Sequence, residues 1–486
     1  MMVGKTPLLT PQAYQTPGSH SCRDLNEDIV DESPRTSTGA PAHVGSAELG
    51  LARNNLVLAV LGAGQLTLPY AMGQLGLHFG VAALIVFTLL SMHSLHVLSI
   101  YEVRFTPGAA DCLESYSELV TRVLGATGSH VCTFLLALYA WGGAVSFLII
   151  LKGELSWLAM VLKESSSVAL ADDQKLGKSL LMVLAASFLW PFSSKIDLSS
   201  LKRFSVLGCV SAVCITIVAC LNWLPLSHWM RWISGSGKDG YLFPSFECLG
   251  PVGSTENQHG KLVSGPSSFQ HFAAALPLFA FALNSSWAYI PILCTLKNKT
   301  PGRVRTLISS SNAIIFANYL ALSLAGAGMY CGEVKPNVLD SLGDSAWKHV
   351  GWWQSSIISL ARFALMLQLS LALPLRFFVA RRAIGPNVES LVGRFALAGA
   401  LVGSASILAV TSLSLDTALG VTSSVCASMI IYILPAVVDL RLRLHIASER
   451  AHLARLCASG ISLAVGAFIL FGGLWGNLSG IAPGGA

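Results

Sequence analysis

Apolar stretches of about 20 residues recur along this chain and are separated by shorter polar segments. A helix of that length crosses the hydrocarbon core of a bilayer, which is about 30 Å thick. The pattern predicts an all-α polytopic membrane protein with about eleven transmembrane helices. The predicted spans are residues 53–76, 79–103, 129–160, 178–193, 204–226, 270–295, 305–331, 352–377, 394–413, 417–438 and 454–476.

The segments outside these spans divide the chain into three parts. Residues 1–50 are rich in Ser, Thr, Pro, Gly and charged residues, which predicts a disordered tail. A transmembrane domain follows over 51–477, with its longest loop at 227–268, and 478–486 form a short C-terminal tail. The whole chain is 53% hydrophobic and 12% charged. Soluble domains carry about 25% charged residues, so this composition excludes a soluble globular protein.

The distribution of lysine and arginine predicts the orientation in the membrane. If the N-terminal tail is cytoplasmic, the inner connections hold roughly twice as many of these residues as the outer ones, as the positive-inside rule requires. The 227–268 loop and the C-terminus then lie outside or in a lumen. Cys248 and Cys331 are the two cysteines predicted on that oxidising side, as a candidate disulfide or as two free thiols.

Two of the predicted spans are interrupted near their middle. The first, over Asn55–Ala71, contains Gly62, Gly64 and Pro69, and the sixth carries Asn284 and Ser285 ahead of a proline. Open backbone at membrane depth is tolerated where it lines a cavity. Breaks at matching positions in two sets of five helices are typical of transporters built as inverted repeats, with the substrate between the repeats.

Several motifs, taken together in their order and spacing, resemble one family. They are Leu61–Ala71, Phe147–Leu155, Phe279–Phe281, Tyr330–Val334, Pro374 with Arg381 and Arg382, Leu419–Ser424, and Tyr432–Pro435. The chain resembles the amino acid/auxin permeases, most closely the system A and system N type of neutral amino acid transporters, over nearly all of residues 50–476. The resemblance implies eleven helices with a LeuT-like five-plus-five inverted repeat, in which helices 1 and 6 are broken.

A zwitterionic amino acid needs receptors for both of its charges, and the two breaks offer them. Unwinding of the first span frees backbone N–H groups, and the half-helix that follows points its positive end at the carboxylate. Freed carbonyls receive the ammonium group. The predicted substrate-binding residues are Gly62, Ala63, Gly64 and Gln65 through the main chain, Asn284 and Ser285 in span 6, and Phe281 and Ser146 around the substrate side chain.

The resemblance also implies a sodium site, and here the chain departs from the family. System A-type members place an asparagine four residues before the first glycine of the break and a threonine two residues before the proline of span 8. These positions are Leu58 and Ala372 in this chain. Sodium, as a hard cation, needs oxygen ligands. Unless backbone carbonyls, Ser370 or Asn55 replace them, the sequence favours proton-coupled or uncoupled transport.

Three side chains are candidates for proton coupling. His93 and His96 lie three residues apart on one face of span 2, and histidine has the intrinsic pKa that suits a proton carrier. Hydrogen bonding within the bundle is the alternative role for both. Glu154 lies in the outer part of span 3, where structural pairing is the alternative.

The leading interpretation is therefore a secondary transporter that moves amino acids by alternating access. The alternative is a transporter-like amino acid sensor that signals through its N-terminal tail. No set of catalytic residues or metal ligands occurs at suitable spacing, so neither an enzyme, nor a cofactor, nor a nucleic-acid partner is predicted. No acidic residue marks the pocket for cationic substrates, which makes neutral amino acids the expected class. The expected location is the plasma membrane or a vacuolar or lysosomal membrane.

Overall fold

The structure is a computed structural model, and it describes the transmembrane part of the chain with several gaps. The described residues are 47–62, 64–105, 115–165, 173–194, 205–223, 266, 268–330, 334–344, 352–384, 390–411, 413–443 and 451–479. Most of the predicted N-terminal tail, nearly all of the 227–268 loop, both cysteines of the candidate disulfide (Cys248 and Cys331) and Ala63 lie outside these ranges.

The described residues fold as α-helices, with a single isolated bridge between Ala47 and Leu296. The helices are α1 Leu49–Val60, α2 Gly64–Leu75, α3 Leu77–Phe105, α4 Tyr116–Ser165, α5 Asp173–Leu184, α6 Trp190–Ser193, α7 Ser205–Trp223, α8 Phe269–Ala282, α9 Ser286–Thr295, α10 Pro301–Tyr330, α11 Val338–Asp344, α12 Trp352–Ile384, α13 Leu391–Val410, α14 Leu415–Thr422, α15 Leu434–Arg443, α16 Ala451–Phe468 and α17 Leu474–Ser479. Three π-helical segments, Ala185–Leu189, Ser423–Ile433 and Ile469–Gly473, join α5 to α6, α14 to α15 and α16 to α17.

The helices match the predicted spans in position. Among the described residues, eight continuous segments are long and apolar enough to cross a membrane, and the bent pair α1–α2 adds a ninth. Shorter apolar segments, Gly177–Ser193 and Val210–Cys220, lie at the predicted fourth and fifth spans. The chain is thus an all-α, multi-pass membrane protein, and the total of eleven spans stays a prediction.

The helix that contains the third span begins earlier than the apolar pattern predicts. It starts at Tyr116 rather than near residue 129, and Gly125 interrupts it with φ of 73°. Glycine adopts this left-handed conformation without the steric cost that a Cβ brings. The polar turn before Gly125, which includes a pair between Arg122 and Glu118 (3.0 Å), therefore joins the helix without being part of the apolar span.

The spans differ in how far they are enclosed by the rest of the protein. The third, sixth and tenth spans are the most buried, whereas the ninth and eleventh are the least. On the outer spans large apolar side chains are exposed, such as Val392, Phe471 and Leu360, as expected of a surface that faces lipid. Spans 3, 6 and 10 therefore occupy the centre of the bundle, and span 6 is one of the two spans predicted to be interrupted.

Close contacts of the eleventh span with the tenth and sixth spans depend on small residues. A Cβ on Gly466 would lie 2.7 Å from Cγ1 of Ile433, and one on Gly473 would lie 2.5 Å from Cγ of Pro277. Small residues of this kind let membrane helices approach one another closely, because packing rather than hydrophobic burial drives their association.

Candidate functional site

The first break separates α1 from α2. Helix α1 ends at Val60 because Leu61 is extended (ψ of 104°), and α2 begins at Gly64 with its axis bent by 60° from that of α1. One hydrogen bond closes the turn, from the N–H of Gln65 to the carbonyl of Gly62 at 3.2 Å. The end of α1 and the start of α2 therefore both present main-chain groups to this turn, as α-helix ends leave them unpaired.

The second break separates α8 from α9. Helix α8 ends at Ala282, α9 starts at Ser286, and the residues between them carry the polar side chains of Asn284 and Ser285. The carbonyl of Leu283 accepts a hydrogen bond from the hydroxyl of Ser91 in α3 at 3.2 Å. A neighbouring span thus satisfies one of the carbonyl groups that the break exposes.

The two breaks lie against each other. A Cβ placed on Gly64 would lie 2.9 Å from Cα of Ala282, closer than ordinary Cβ contacts allow. The hydroxyl of Tyr319 in α10 lies 3.0 Å from the carbonyl of Val60 and 3.0 Å from that of Ala282, and it donates to these acceptors. Tyr319 is fully buried. Tyr319 thus links the last residue of α1 to the last residue of α8. The sequence offers one signal for this role: a tyrosine within an apolar span needs a polar partner for its hydroxyl.

Several buried polar groups at this junction lack a protein partner. In the described part of the chain, Nε2 of Gln65, both amide atoms of Asn284 and the hydroxyls of Ser285 and Ser286 are buried and make no hydrogen bond. The other amide atom of Gln65 accepts from Asn318 at 3.2 Å. A buried polar group that lacks a partner costs about 1–3 kcal/mol, so such a cluster indicates a site that a polar ligand or water completes.

Two residues, Phe281 and Ser146, are predicted to surround the substrate side chain. Phe281 packs beside Gly64, with its Cδ1 3.2 Å from the position of a Cβ there, and its ring lies 5.3 Å from that of Tyr139. The hydroxyl of Ser146 donates to the carbonyl of Gly142 at 3.1 Å, within its own helix. Its donor is therefore committed to the backbone. The neighbouring ring of Phe147 contacts the first break, 3.8 Å from the position of a Cβ on Gly62.

The two positions at which related transporters carry side-chain ligands for sodium have no side-chain oxygen in this chain. Leu58 and Ala372 are both partly buried, and Ala372 packs against the apolar core. Of the two possible replacements, the hydroxyl of Ser370 donates to the carbonyl of Met366 at 2.8 Å, and Asn55 is exposed.

The predicted proton carriers lie in two separate networks. His93 lies 3.3 Å from the hydroxyl of Ser459, which donates to the buried carboxylate of Asp439, and Tyr101 donates to the same carboxylate at 3.0 Å. His96 lies one turn further along the same helix and is half-buried. The sequence does not single out Asp439, because its hydrogen-bond partners Tyr101 and Ser459 come from two other spans.

The second network surrounds Glu154. Its carboxylate is 1% exposed, and its Oε2 lies 3.8 Å from Nε of Arg362, which is 4% exposed. Neither carboxylate oxygen makes a hydrogen bond to a described residue. Arg362 instead donates to the carbonyl of Leu339 and lies over the ring of Trp157, 5.1 Å from its centroid. The pair is thus buried and close enough for Coulombic attraction, yet too far apart for a hydrogen bond.

Comparison with known proteins confirms the predicted resemblance. The human sodium-coupled neutral amino acid transporter 4 is 22% identical over 485 aligned residues, which cover 89% of this chain and 84% of the relative. The sodium-coupled neutral amino acid symporter 2 of Danio rerio is 23% identical, and the alignment covers 82% of this chain and 76% of the relative. Among solved structures, MhsT in complex with L-phenylalanine aligns with a TM-score of 0.42 and 13% identity, over 90% of this chain and 98% of that one.

A family model described as transmembrane amino acid transporter protein matches residues 50–479. The match includes both broken spans and every site residue named above. Because it covers most of the chain, this integral multi-pass membrane protein belongs to the transmembrane amino acid transporter family.

Proposed function

We propose that this chain moves amino acids across its membrane by alternating access, with the substrate held at the junction of the two broken spans. Membership of a transporter family makes the chain a carrier rather than an enzyme. The observation that carries the proposal is the cluster of unpartnered polar groups at Gln65, Asn284 and Ser285, which lies where two interrupted helices meet. Interrupted helices of this kind hold substrates in secondary transporters.

We assign a receptor to each charge of the substrate. The N-terminal N–H groups of α2, after Gly62, are oriented for the α-carboxylate, and the helix dipole favours a negative charge there. Asn284 and Ser285 provide donors and acceptors for the ammonium group and its hydration. The aromatic rings of Phe281 and Phe147 border the substrate side chain. We propose substrates without a positive side chain, with neutral amino acids as the first class to test, because no carboxylate is among these residues.

We further propose that transport is coupled to protons or uncoupled. The two positions where related transporters carry oxygen ligands hold Leu58 and Ala372, whose side chains cannot ligate sodium. The relatives named above are called sodium-coupled, and that name describes those proteins. Glu154 is the first candidate for the proton carrier, because its carboxylate is buried beside Arg362 and neither of its oxygens makes a hydrogen bond to a described residue. His93 and His96 are the second.

Uptake into proteoliposomes that contain the purified chain tests both parts of the proposal. Labelled neutral amino acids are supplied with an inward sodium gradient, an inward proton gradient or neither, and protein-free liposomes give the background. We expect uptake above background that a proton gradient stimulates or that needs no gradient. Uptake that requires sodium contradicts the coupling proposal and leaves the transport proposal intact. Absence of uptake by correctly folded protein contradicts transport and favours the sensor alternative.

A further inference from the structure

Arg376 places a positive charge beside the junction of the two broken spans. It follows Pro374 in α12, and its guanidinium carbon lies 4.1 Å from the centroid of the Phe147 ring in α4. Its Nη1 fills the space that a Cβ on Gly143 would occupy. Glycine at this position therefore leaves room for the guanidinium group between α4 and α12.

The same guanidinium group is connected to both breaks through two aromatic rings. Phe147, on which it stacks, also contacts Gly62 of the first break. Cζ of Phe281 lies 3.6 Å from the position of a Cβ on Gly143, next to Arg376, and the same ring contacts Gly64. The charge is thus on the side of the pocket that the two rings border, where the substrate side chain is expected.

The charge of Arg376 has no counter-ion in the described part of the chain. Arg376 is partly buried and makes neither a hydrogen bond nor an ion pair with any residue that the structure describes. Two other arginines of α12 differ: Arg362 is paired with Glu154, and Nε of Arg381 donates to the carbonyl of Ser193 at 3.2 Å. Because a guanidinium group stays protonated in proteins, one that packs between helices without a counter-ion favours the binding of an anion.

We infer that Arg376 binds the side-chain carboxylate of an acidic amino acid, so that the substrate range extends from neutral to acidic amino acids. This inference rests on the proposed transport function. With the α-carboxylate at the start of α2, a second carboxylate on the substrate side chain reaches towards the rings and Arg376. The planar fork of a guanidinium group matches a carboxylate in a bidentate pair, which gives orientation as well as attraction.

Competing uptake of glutamate and glutamine tests the inference, because these two substrates differ in the side-chain carboxylate. Proteoliposomes are prepared with the wild-type chain, Arg376→Gln, Arg376→Lys and the control Arg382→Gln. Arg382 is exposed near the end of the same helix. The Arg382→Gln variant therefore removes the same charge at a position away from the pocket. The membrane potential is clamped with potassium and valinomycin, so that the charge of glutamate does not bias its uptake.

We expect the wild-type chain to take up both substrates, and Arg376→Gln to lower the ratio of glutamate to glutamine uptake by about 10- to 100-fold, as loss of one charged hydrogen-bonded pair requires. Arg376→Lys should have a ratio of glutamate to glutamine uptake between those of the wild-type chain and Arg376→Gln. Arg382→Gln should have the wild-type ratio. A wild-type chain that transports glutamine but not glutamate overturns the inference and leaves the proposed function standing. A parallel loss of both substrates in Arg376→Gln also overturns it.

A binding measurement on the wild-type chain keeps the test independent of any variant. The unfolding temperature of the purified protein in detergent is compared with glutamate and with glutamine at equal concentrations, since a ligand that binds the folded state raises it. We expect both to raise the unfolding temperature. If glutamine raises the unfolding temperature and glutamate does not, the result contradicts a role for Arg376 in binding acidic substrates.

Discussion

Gly64 lies so close to Ala282 that a side chain at Gly64 would displace the backbone of the other broken span: a Cβ there would be 2.9 Å from Cα of Ala282. The contact joins the start of α2 to the end of α8. Since backbone cannot move aside as a flexible side chain does, the site requires glycine at this position.

The first prediction concerns this contact. Gly64→Ala should lower amino acid uptake about tenfold or more, because overpacking of this kind costs roughly 1–3 kcal/mol and here it separates the two breaks. The measurement is initial uptake per folded protein in proteoliposomes. The control is Gly403→Ala, a helical glycine with nothing within 4 Å of the added Cβ, which should retain wild-type uptake. Equal uptake by both variants would contradict the proposed junction.

The second prediction compares two buried tyrosines. Tyr319→Phe should destabilise the protein by about 1–3 kcal/mol, because the carbonyls of Val60 and Ala282 lose their shared donor. Tyr432→Phe is the matched control, since the hydroxyl of Tyr432 is buried and makes no hydrogen bond to a described residue. Its removal should be neutral or stabilising. Thermal unfolding in detergent measures both, and a larger loss at Tyr432 would show that the hydrogen-bond assignment is wrong.

The third prediction assigns proton coupling to Glu154. Glu154→Gln keeps the shape of the side chain and removes its titration, so uptake should lose its stimulation by an inward proton gradient while exchange of internal for external substrate continues. Glu118→Gln, at an exposed pair with Arg122, is the control and should stay coupled. Uptake is measured with and without the pH gradient. If Glu154→Gln stays proton-stimulated, the carrier lies elsewhere, and His93→Gln is then the variant to examine.

The fourth prediction concerns sodium. Replacing sodium by choline should leave wild-type uptake unchanged, because the side chains of Leu58 and Ala372 supply no oxygen. The double variant Leu58→Asn with Ala372→Thr introduces the two ligands that the family resemblance implies, and it should gain stimulation by sodium. The single variants serve as controls with one ligand each. A wild-type chain that already responds to sodium would show that backbone carbonyls or other groups form the site.

Much of the fold follows from local properties of the sequence. Length and hydropathy locate the spans, because a helix must match the thickness of the bilayer, and glycine or proline within an apolar stretch locates the break at Gly62–Gly64. Hydropathy alone does not detect the helical segment that precedes the third span, which Gly125 separates from the apolar part of α4.

The side-chain chemistry of the site was less predictable, because it depends on contacts between distant segments. Asn284 is recognisable as a polar residue within an apolar span, whereas the sequence analysis predicts only a main-chain role for Gln65, whose side chain has an unpartnered Nε2. Tyr319, Arg376 and Asp439 acquire their roles from neighbours on other spans. The hydroxyl of Ser146 donates to its own helix, as serine in a helix often does, and its place beside the substrate stays a prediction. No spacing along the chain distinguishes these cases.

The two hydrogen bonds at Tyr319 have a consequence for motion. A tyrosine hydroxyl has one hydrogen, so the carbonyls of Val60 and Ala282 share a single donor. If the ends of α1 and α8 move apart, the hydroxyl can follow either of them and remain bonded, and only the other carbonyl has to find water. Tyr319 therefore stabilises the contact between the ends of α1 and α8, and separation of the two ends would break only one of its two hydrogen bonds.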